Sequence, residues 1–243
     1  MLPIIKLDAI DSTNDYLKQL SREKEVNNYT IVTAREQTKG RGQMGAEWVS
    51  EPGKNLTMSI LFKDVRLEGE RLFDFNVAVT LGVMNALFSL NIPELKIKWP
   101  NDIMAGGKKL GGILIENTFK SDGSFTSVVG LGLNLNQTDF EMLPQATSLK
   151  CITGEEYNPD DMALLFGKDI QATVADLDQK TQVLWENYRK MLFKLDYPCA
   201  FEDLQGNRFM GLIKEVTHEG KLAVMLENDS VVQYEVKEIK MLF

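Results

Sequence analysis

The chain has 243 residues, 44% of them hydrophobic, with a formal net charge of −8. That length supports a sizeable core and leaves room for one domain plus a smaller second one. The acidic balance argues against a protein that lives on phosphate backbones, so bulk DNA or RNA binding is not expected.

The N-terminal stretch MLPIIKLDAIDS has no long apolar core and no cleavage-type end, so it does not read as a signal peptide. No run of roughly 18 apolar residues predicts a membrane span. Ile4, Ile5 and Leu7 predict a short first strand. Asp11-Ser12-Thr13-Asn14-Asp15 then leads into Tyr16-Leu17-x-x-Leu20, a helix start with Asp11 or Ser12 as N-cap. The cluster reads either as capping alone or as a hydroxyl and an amide facing a small polar ligand.

Thr30 to Thr33 predict a second strand, and GRGQMGAEW follows at 40–48. Its glycines match G-x-G-x-x-G, but a dinucleotide site needs that motif to open a helix. Here a strand follows, with Leu56, Met58, Ile60 and Phe62 on one face and Thr57, Ser59 and Leu61 on the other. The glycines therefore lie in a loop, where bare backbone N–H groups and Arg41 suit an anionic ligand. Residues 70–90 are apolar almost all round and predict a buried helix.

Leu95, Ile97 and Trp99 alternate with lysines and predict a strand that ends at Pro100. Gly106-Gly107 is a turn signal, and Leu110 to Ile115 predict the returning strand of a hairpin. That hairpin brings an acid, an amide and a lysine (Asp102, Asn101, Lys109) near the glycine-lined backbone of Gly111-Gly112. Phe125 to Leu135 predict a strand interrupted by Gly130 and Gly132, a sign that something approaches the backbone closely. Asn158-Pro159-Asp160-Asp161 is a strong helix start, and helical patterning runs with breaks to about Phe193. From Gly206 the chain changes to short alternating strands at 209–216, 221–226 and 231–236, which predict a small β-barrel. The two cysteines, Cys151 and Cys199, lie outside any C-x-x-C pattern, which fits a reduced, cytoplasmic setting. His218, the one histidine, reads as a solvated turn residue, so His-based triads and H-E-x-x-H zinc sites are not expected.

Five segments in order resemble the catalytic core of biotin–protein ligases (biotin–[acetyl-CoA-carboxylase] ligases). They are DSTND at 11–15, EQTKGRGQMGAEW at 36–48, KWPNDI at 98–103, KKLGGILIE at 108–116 and GLGLNLN at 130–136. The resemblance implies an α+β fold over residues 1–194, a mixed sheet with packed helices like the class II aminoacyl-tRNA synthetases. A small SH3-like β-barrel over 195–243 completes it. It also implies that biotin and ATP, with Mg²⁺, give biotinyl-5′-AMP and pyrophosphate. The acyl group then passes to a lysine of a biotin carboxyl carrier protein or domain. Pushing a carboxylate at a polyphosphate needs counter-charge, since two like unit charges about 4 Å apart repel by about 4 kcal/mol at an effective dielectric near 20. Arg41, Lys109 and a metal ion are the expected counter-charges.

By motif match, Ser12, Thr13, Asn14 and Gln37 line the biotin head-group pocket, with the loop residues Gly40, Arg41, Gly42 and Gln43 beside it. Arg41 holds carboxylate and phosphate, and Lys109 sits between biotin's carboxyl and the α-phosphate. Trp48 packs near the adenine, Asn101 and Asn134 contact the adenylate, and Gly112 leaves room for the ligand. Asp102 positions either the metal ion or the incoming lysine amine.

Two departures stand out. Many family members carry G-R-G-R-x-G-R in the glycine loop, whereas Gln43 and Ala46 stand here for the second and third arginines. Gln43 can hydrogen-bond a phosphate but brings no charge, which bears on how tightly the adenylate is retained. Many bacterial members also begin with a winged-helix DNA-binding domain; here the ligase core begins at about residue 4, so no such domain is expected. A homodimer formed by sheet extension is compatible with the resemblance. Lipoate–protein ligases share the chemistry, but their R-R-x-x-G-G-G-x-x-x-H-D pattern is missing. A biotin sensor without ligase activity would not need Lys109 at the carboxyl end.

Overall fold

The computed structural model describes residues 2–67, 71–141 and 143–242. The chain begins β1 (Ile4–Ile10), α1 (Thr13–Glu23), β2 (Ile31–Gln37), a 3-10 turn (Gln43–Gly45), β3 (Leu56–Val65) and α2 (Leu72–Ser89). It continues β4 (Leu95–Lys98), β5 (Asp102–Ala105), β6 (Lys108–Phe119), β7 (Phe125–Leu133), α3 (Leu149–Thr153), α4 (Pro159–Ala175) and α5 (Leu177–Met191). Last come β8 (Pro198–Asp203), β9 (Arg208–Val216), β10 (Leu222–Leu226), β11 (Val231–Tyr234) and β12 (Ile239–Leu242).

Among the described residues, seven strands form one mixed sheet in the order β1-β2-β3-β7-β6-β5-β4. β1 and β2 run parallel, and the other neighbours are antiparallel. The apolar face of β3 packs onto α2, which is buried nearly all round and lies against α4 and α5. The expected start of that helix at Glu70 lies outside the described residues. At 18 residues and mean hydropathy 1.4, α2 is long and apolar enough to cross a membrane, contrary to expectation, but 67% of it is buried inside the protein as core. The other face of the sheet receives α1, with Leu17 against Val32, Leu61 and Val128. Asn158 caps α4, accepting from the backbone N–H groups of Asp160 and Asp161, and Pro159 takes the first position as expected.

Two expectations change. The single hairpin around Pro100 is a three-stranded meander, because β5 lies between β4 and β6. The sequence Asp-Ile-Met-Ala does not alternate, since Ile103, Met104 and Ala105 are all apolar and buried, so no period-2 signal marks it. Asp102 therefore sits inside the sheet, opposite Lys98 on one side and Gly112 on the other. The C-terminal part is not a closed barrel. Among the described residues it is an open antiparallel sheet of five strands, ordered β11-β10-β9-β8-β12. Its edge strands hold four residues each, too little length for the tilt and stagger of closure.

The C-terminal sheet fastens to the larger one beside the β4–β5 turn. The indole N–H of buried Trp99 donates to the carbonyl of Gly220 at 2.9 Å, and the segment leading into that sheet is held by the N–H of Phe193, which donates to the carbonyl of Ile97 at 2.8 Å. His218 is mostly exposed, as expected, yet its ring also lies 4.4 Å from that of Trp185 and its Nδ1 3.6 Å from buried Asp74.

Candidate active site

Ser12 closes the N-terminus of α1, its Oγ accepting from the N–H of Asp15. That cap sets Thr13 and Asn14, both buried, against the central strands. Thr13 directs its N–H and its hydroxyl to Gln37 Oε1, at 2.8 and 3.0 Å. With its oxygen engaged, Gln37 presents its amide nitrogen, beside Gly40, as the donor a ligand meets. Behind them, fully buried Ser59 donates to Asn14 Oδ1 at 2.6 Å and lies 2.8 Å from Thr13 Oγ1. Asn14 Nδ2 donates to Glu116 Oε2 at 2.9 Å.

The glycine loop pinches shut through Trp48 N–H to Gly40 O at 2.9 Å and Gly42 N–H to Ala46 O at 2.6 Å. The Trp48 ring lies flat on β7, where a Cβ on Gly132 would stand 2.5 Å from it; a Cβ on Gly130 would collide with the Asn14 amide. The two strand glycines thus admit side chains of the site itself, which is the close approach their position predicts. Gln43 Oε1 and Trp48 Nε1 are buried without a hydrogen-bond partner among the described residues. Arg41 pairs with Asp15 at 3.0 Å and with Glu116, on the side of the cavity where Asn14 lies. It does not join the Lys109–Asp102 pair.

At the other end Asp102 lies between two cations, Lys109 Nζ at 2.6 Å from one oxygen and Lys98 Nζ at 2.9 Å from the other. Gly112 lies beside them, and a Cβ there would stand 3.8 Å from both Asp102 and Lys109, in van der Waals contact. Asn101 pins the turn through Nδ2 to Ile113 O at 2.9 Å, and Asn134 Nδ2 holds Thr147 O at 2.9 Å. The segment 145–147 runs beside Lys109, whose N–H donates to Gln145 O at 2.7 Å.

These groups enclose a cavity of about 950 Å³. Every site residue expected from the sequence lines it except Gly40, which holds the loop instead. The C-terminal sheet adds Lys237, Lys240 and Leu242 to the wall. Sequence reasoning missed Lys98, Ser59, Glu116 and the 140–147 segment. Period-2 spacing carries a signal for two of them: Glu116 shares a strand face with Gly112, and Ser59 lies on the polar face of its strand. Burial alone raises the Glu116 pKa, but hydrogen bonds from Lys18, Asn14 and Arg41 outweigh it and hold the carboxyl below its ordinary range.

Among the described residues no group of three or more His, Cys, Asp or Glu side chains could hold a metal ion. One carboxylate, Asp102, at the lysine end fits Mg²⁺ carried in on phosphates, since that ion keeps most of its waters and needs few protein oxygens.

A family model described as Biotin/lipoate A/B protein ligase family matches residues 7–134. Bifunctional ligase/repressor BirA of Bacillus spizizenii is 30% identical over 194 residues, 76% of this chain; the chain spans 59% of that relative's length. Biotin--[acetyl-CoA-carboxylase] ligase of Paracoccus denitrificans is 31% identical over 177 residues, 71% of this chain and 73% of its own. Among solved structures, the biotin protein ligase from Aquifex aeolicus in complex with biotin and ATP has a TM-score of 0.80 at 26% identity, covering 100% of this chain and 99% of that one. With more than half its length inside the family model, this chain belongs to the biotin/lipoate A/B protein ligase family.

Proposed function

We propose that the protein is an ATP-dependent biotin–protein ligase, which activates biotin as biotinyl-5′-AMP and passes the biotinyl group to a lysine of a biotin carboxyl carrier protein or domain. One observation carries this: a single cavity joins the hydrogen-bonding groups of Ser12, Thr13, Asn14 and Gln37 to a pair of lysines around one carboxylate. The Gln37 end suits a ureido ring, whose oxygen accepts from Gln37 and the Ser12 hydroxyl. A dithiolane ring has no such oxygen, so biotin is favoured over lipoate.

In the first step a carboxylate oxygen of biotin bonds to the α-phosphorus, the bond from that phosphorus to the bridging oxygen breaks, and pyrophosphate leaves. Lys109 turns from Asp102 to the meeting carboxylate and phosphate, where its charge offsets their repulsion. Lys98 keeps Asp102 in place meanwhile. Magnesium bound with the nucleotide supplies further charge neutralisation on the phosphate oxygens. In the second step the neutral acceptor amine bonds to the acyl carbon, the bond from that carbon to the phosphate oxygen breaks, AMP leaves and the amine's proton passes to solvent. Asp102 is the carboxylate available to orient that amine, and orientation is the main need of an already activated acyl group. Residues 1–194 carry the chemistry in this proposal, with 195–243 as a smaller part that closes one wall. It includes a cytoplasmic location and no nucleic-acid partner. A homodimer through the edge strand β1 is compatible with it.

The test is incubation with ATP, Mg²⁺ and either biotin or lipoate, with a biotin carrier domain and a lipoyl domain in parallel. A biotin-sized mass gain on the carrier domain alone is expected. A gain on the lipoyl domain, or none on either, overturns the assignment.

A further inference from the structure

Gly112, Leu114 and Glu116 fall on one face of β6 at two-residue spacing, so the wall of the cavity runs on to a carboxylate. Glu116 collects three donors: Lys18 Nζ at 2.8 Å, Asn14 Nδ2 at 2.9 Å and the Arg41 guanidinium. Two of them belong to the site. An amide has one donor end and one acceptor end. With its nitrogen on Glu116, Asn14 must turn its oxygen to Ser59, whose hydroxyl lies against Thr13. Thr13 in turn engages the oxygen of Gln37 and leaves that amide's nitrogen forward. The carboxylate at the back thus fixes the Asn14 amide, together with the more distant Leu114 carbonyl at 3.4 Å, while Gln37 is oriented by the Thr13 backbone N–H. Arg41 adds a mechanical link, since its guanidinium spans Glu116 and Asp15 and ties the glycine loop to the start of α1.

We infer that Glu116 is a positioning residue for biotin recognition, which fixes Asn14 in one amide orientation and tethers the glycine loop through Arg41. This rests on the ligase function proposed above. Glu116 stands seven residues along the strand from Lys109, a separation of roughly 20 Å in extended chain, so it acts on binding and not on bond making.

The experiment compares Glu116→Gln, Glu116→Asp and Lys18→Met. The readouts are biotin affinity by calorimetry, pyrophosphate exchange at saturating biotin, and trypsin cleavage at residues 39–41. Glu116→Gln is expected to weaken biotin binding about tenfold, as loss of a charge-assisted hydrogen bond does. It should hold kcat for exchange within about threefold, since uniform binding is what is lost. Cleavage of the loop should quicken. Lys18→Met removes a half-buried partner but leaves Asn14 and Arg41 on the carboxylate, so it should shift biotin affinity clearly less than Glu116→Gln does. Glu116→Asp should recover part of the affinity, and it carries the test if the Gln variant does not fold. Equal effects of the Lys18 and Glu116 variants, or lost kcat at unchanged affinity, overturn the inference. A wild-type protein that neither binds biotin nor exchanges pyrophosphate overturns the ligase proposal instead, and loop cleavage then judges the tether by itself.

Discussion

Lys109 reaches the cavity from the start of β6, 40% exposed, with its ammonium on a carboxylate that Lys98 also holds. Removing it leaves Asp102 one partner, so Lys109→Ala should fold normally. It should slow adenylation by about 10²-fold if the ammonium offsets transition-state charge; a loss under threefold in pyrophosphate exchange removes Lys109 from the mechanism. Gln43 is the second residue to change. Its buried oxygen has no partner among the described residues, and an arginine in its place would bring the missing charge to the loop. Gln43→Arg should slow release of biotinyl-AMP, measured by filter retention, and unchanged release counts against the loop as the cause. The Glu116 carboxyl titrates below its ordinary value of 4.5. A depressed folded-state pKa means that its contribution is complete above the unfolded value and is lost as pH falls through the folded one. Biotin affinity should therefore hold from neutral pH down to the ordinary carboxylate range and weaken only below it. A fall beginning near pH 6 points to another group. Arg41, Gln37 and Lys109 were legible because each stands in a recognisable segment. Lys98 sits in one too, yet its pairing with Asp102 depends on β5, whose run of apolar residues carries no alternation to announce it.

Among the elements, β7 shows how a glycine pattern becomes a site. Its Gly130 and Gly132 sit two apart on one face, and Asn14 and Trp48 rest where their side chains would be. Gly130→Ala should displace the Asn14 amide and cost about 1–3 kcal/mol, as overpacking of a tight contact does. Urea unfolding measures the stability and calorimetry the loss of biotin affinity. An alanine variant with both properties intact means that Asn14 can retreat without consequence. That glycines inside a strand admit a close neighbour was legible; which neighbour was not, because Asn14 and Trp48 come from distant parts of the chain. α1 and α4 were legible from their caps and α2 from its apolar face, whereas the five-residue α3 was not read in advance. β8, β12 and the segment beside Lys109 were not, being short and polar or irregular.

At the scale of the molecule, the two sheets meet beside the β4–β6 meander. Trp99 precedes the turn that delivers Asn101 and Asp102, and its indole N–H is fastened to a carbonyl of the other sheet. The acceptor Gly220 has φ +89°, and a Cβ there would collide with the ring of Phe73, so the β9–β10 turn docks only as glycine. A backbone carbonyl has no sequence signature, which is why this junction could not be read in advance although Trp99 itself stood in a motif. Trp99→Phe keeps a ring in the core and removes the donor. It should lower stability by about 1–3 kcal/mol, the cost of leaving a buried carbonyl unpaired. If the junction also steadies the turn, pyrophosphate exchange per folded molecule should drop about tenfold, because small misplacement of a reacting constellation is costly. Stability loss with full activity per folded molecule would make the C-terminal sheet a fastening alone. Loss of both would make it part of how Asp102 and Lys109 are aimed.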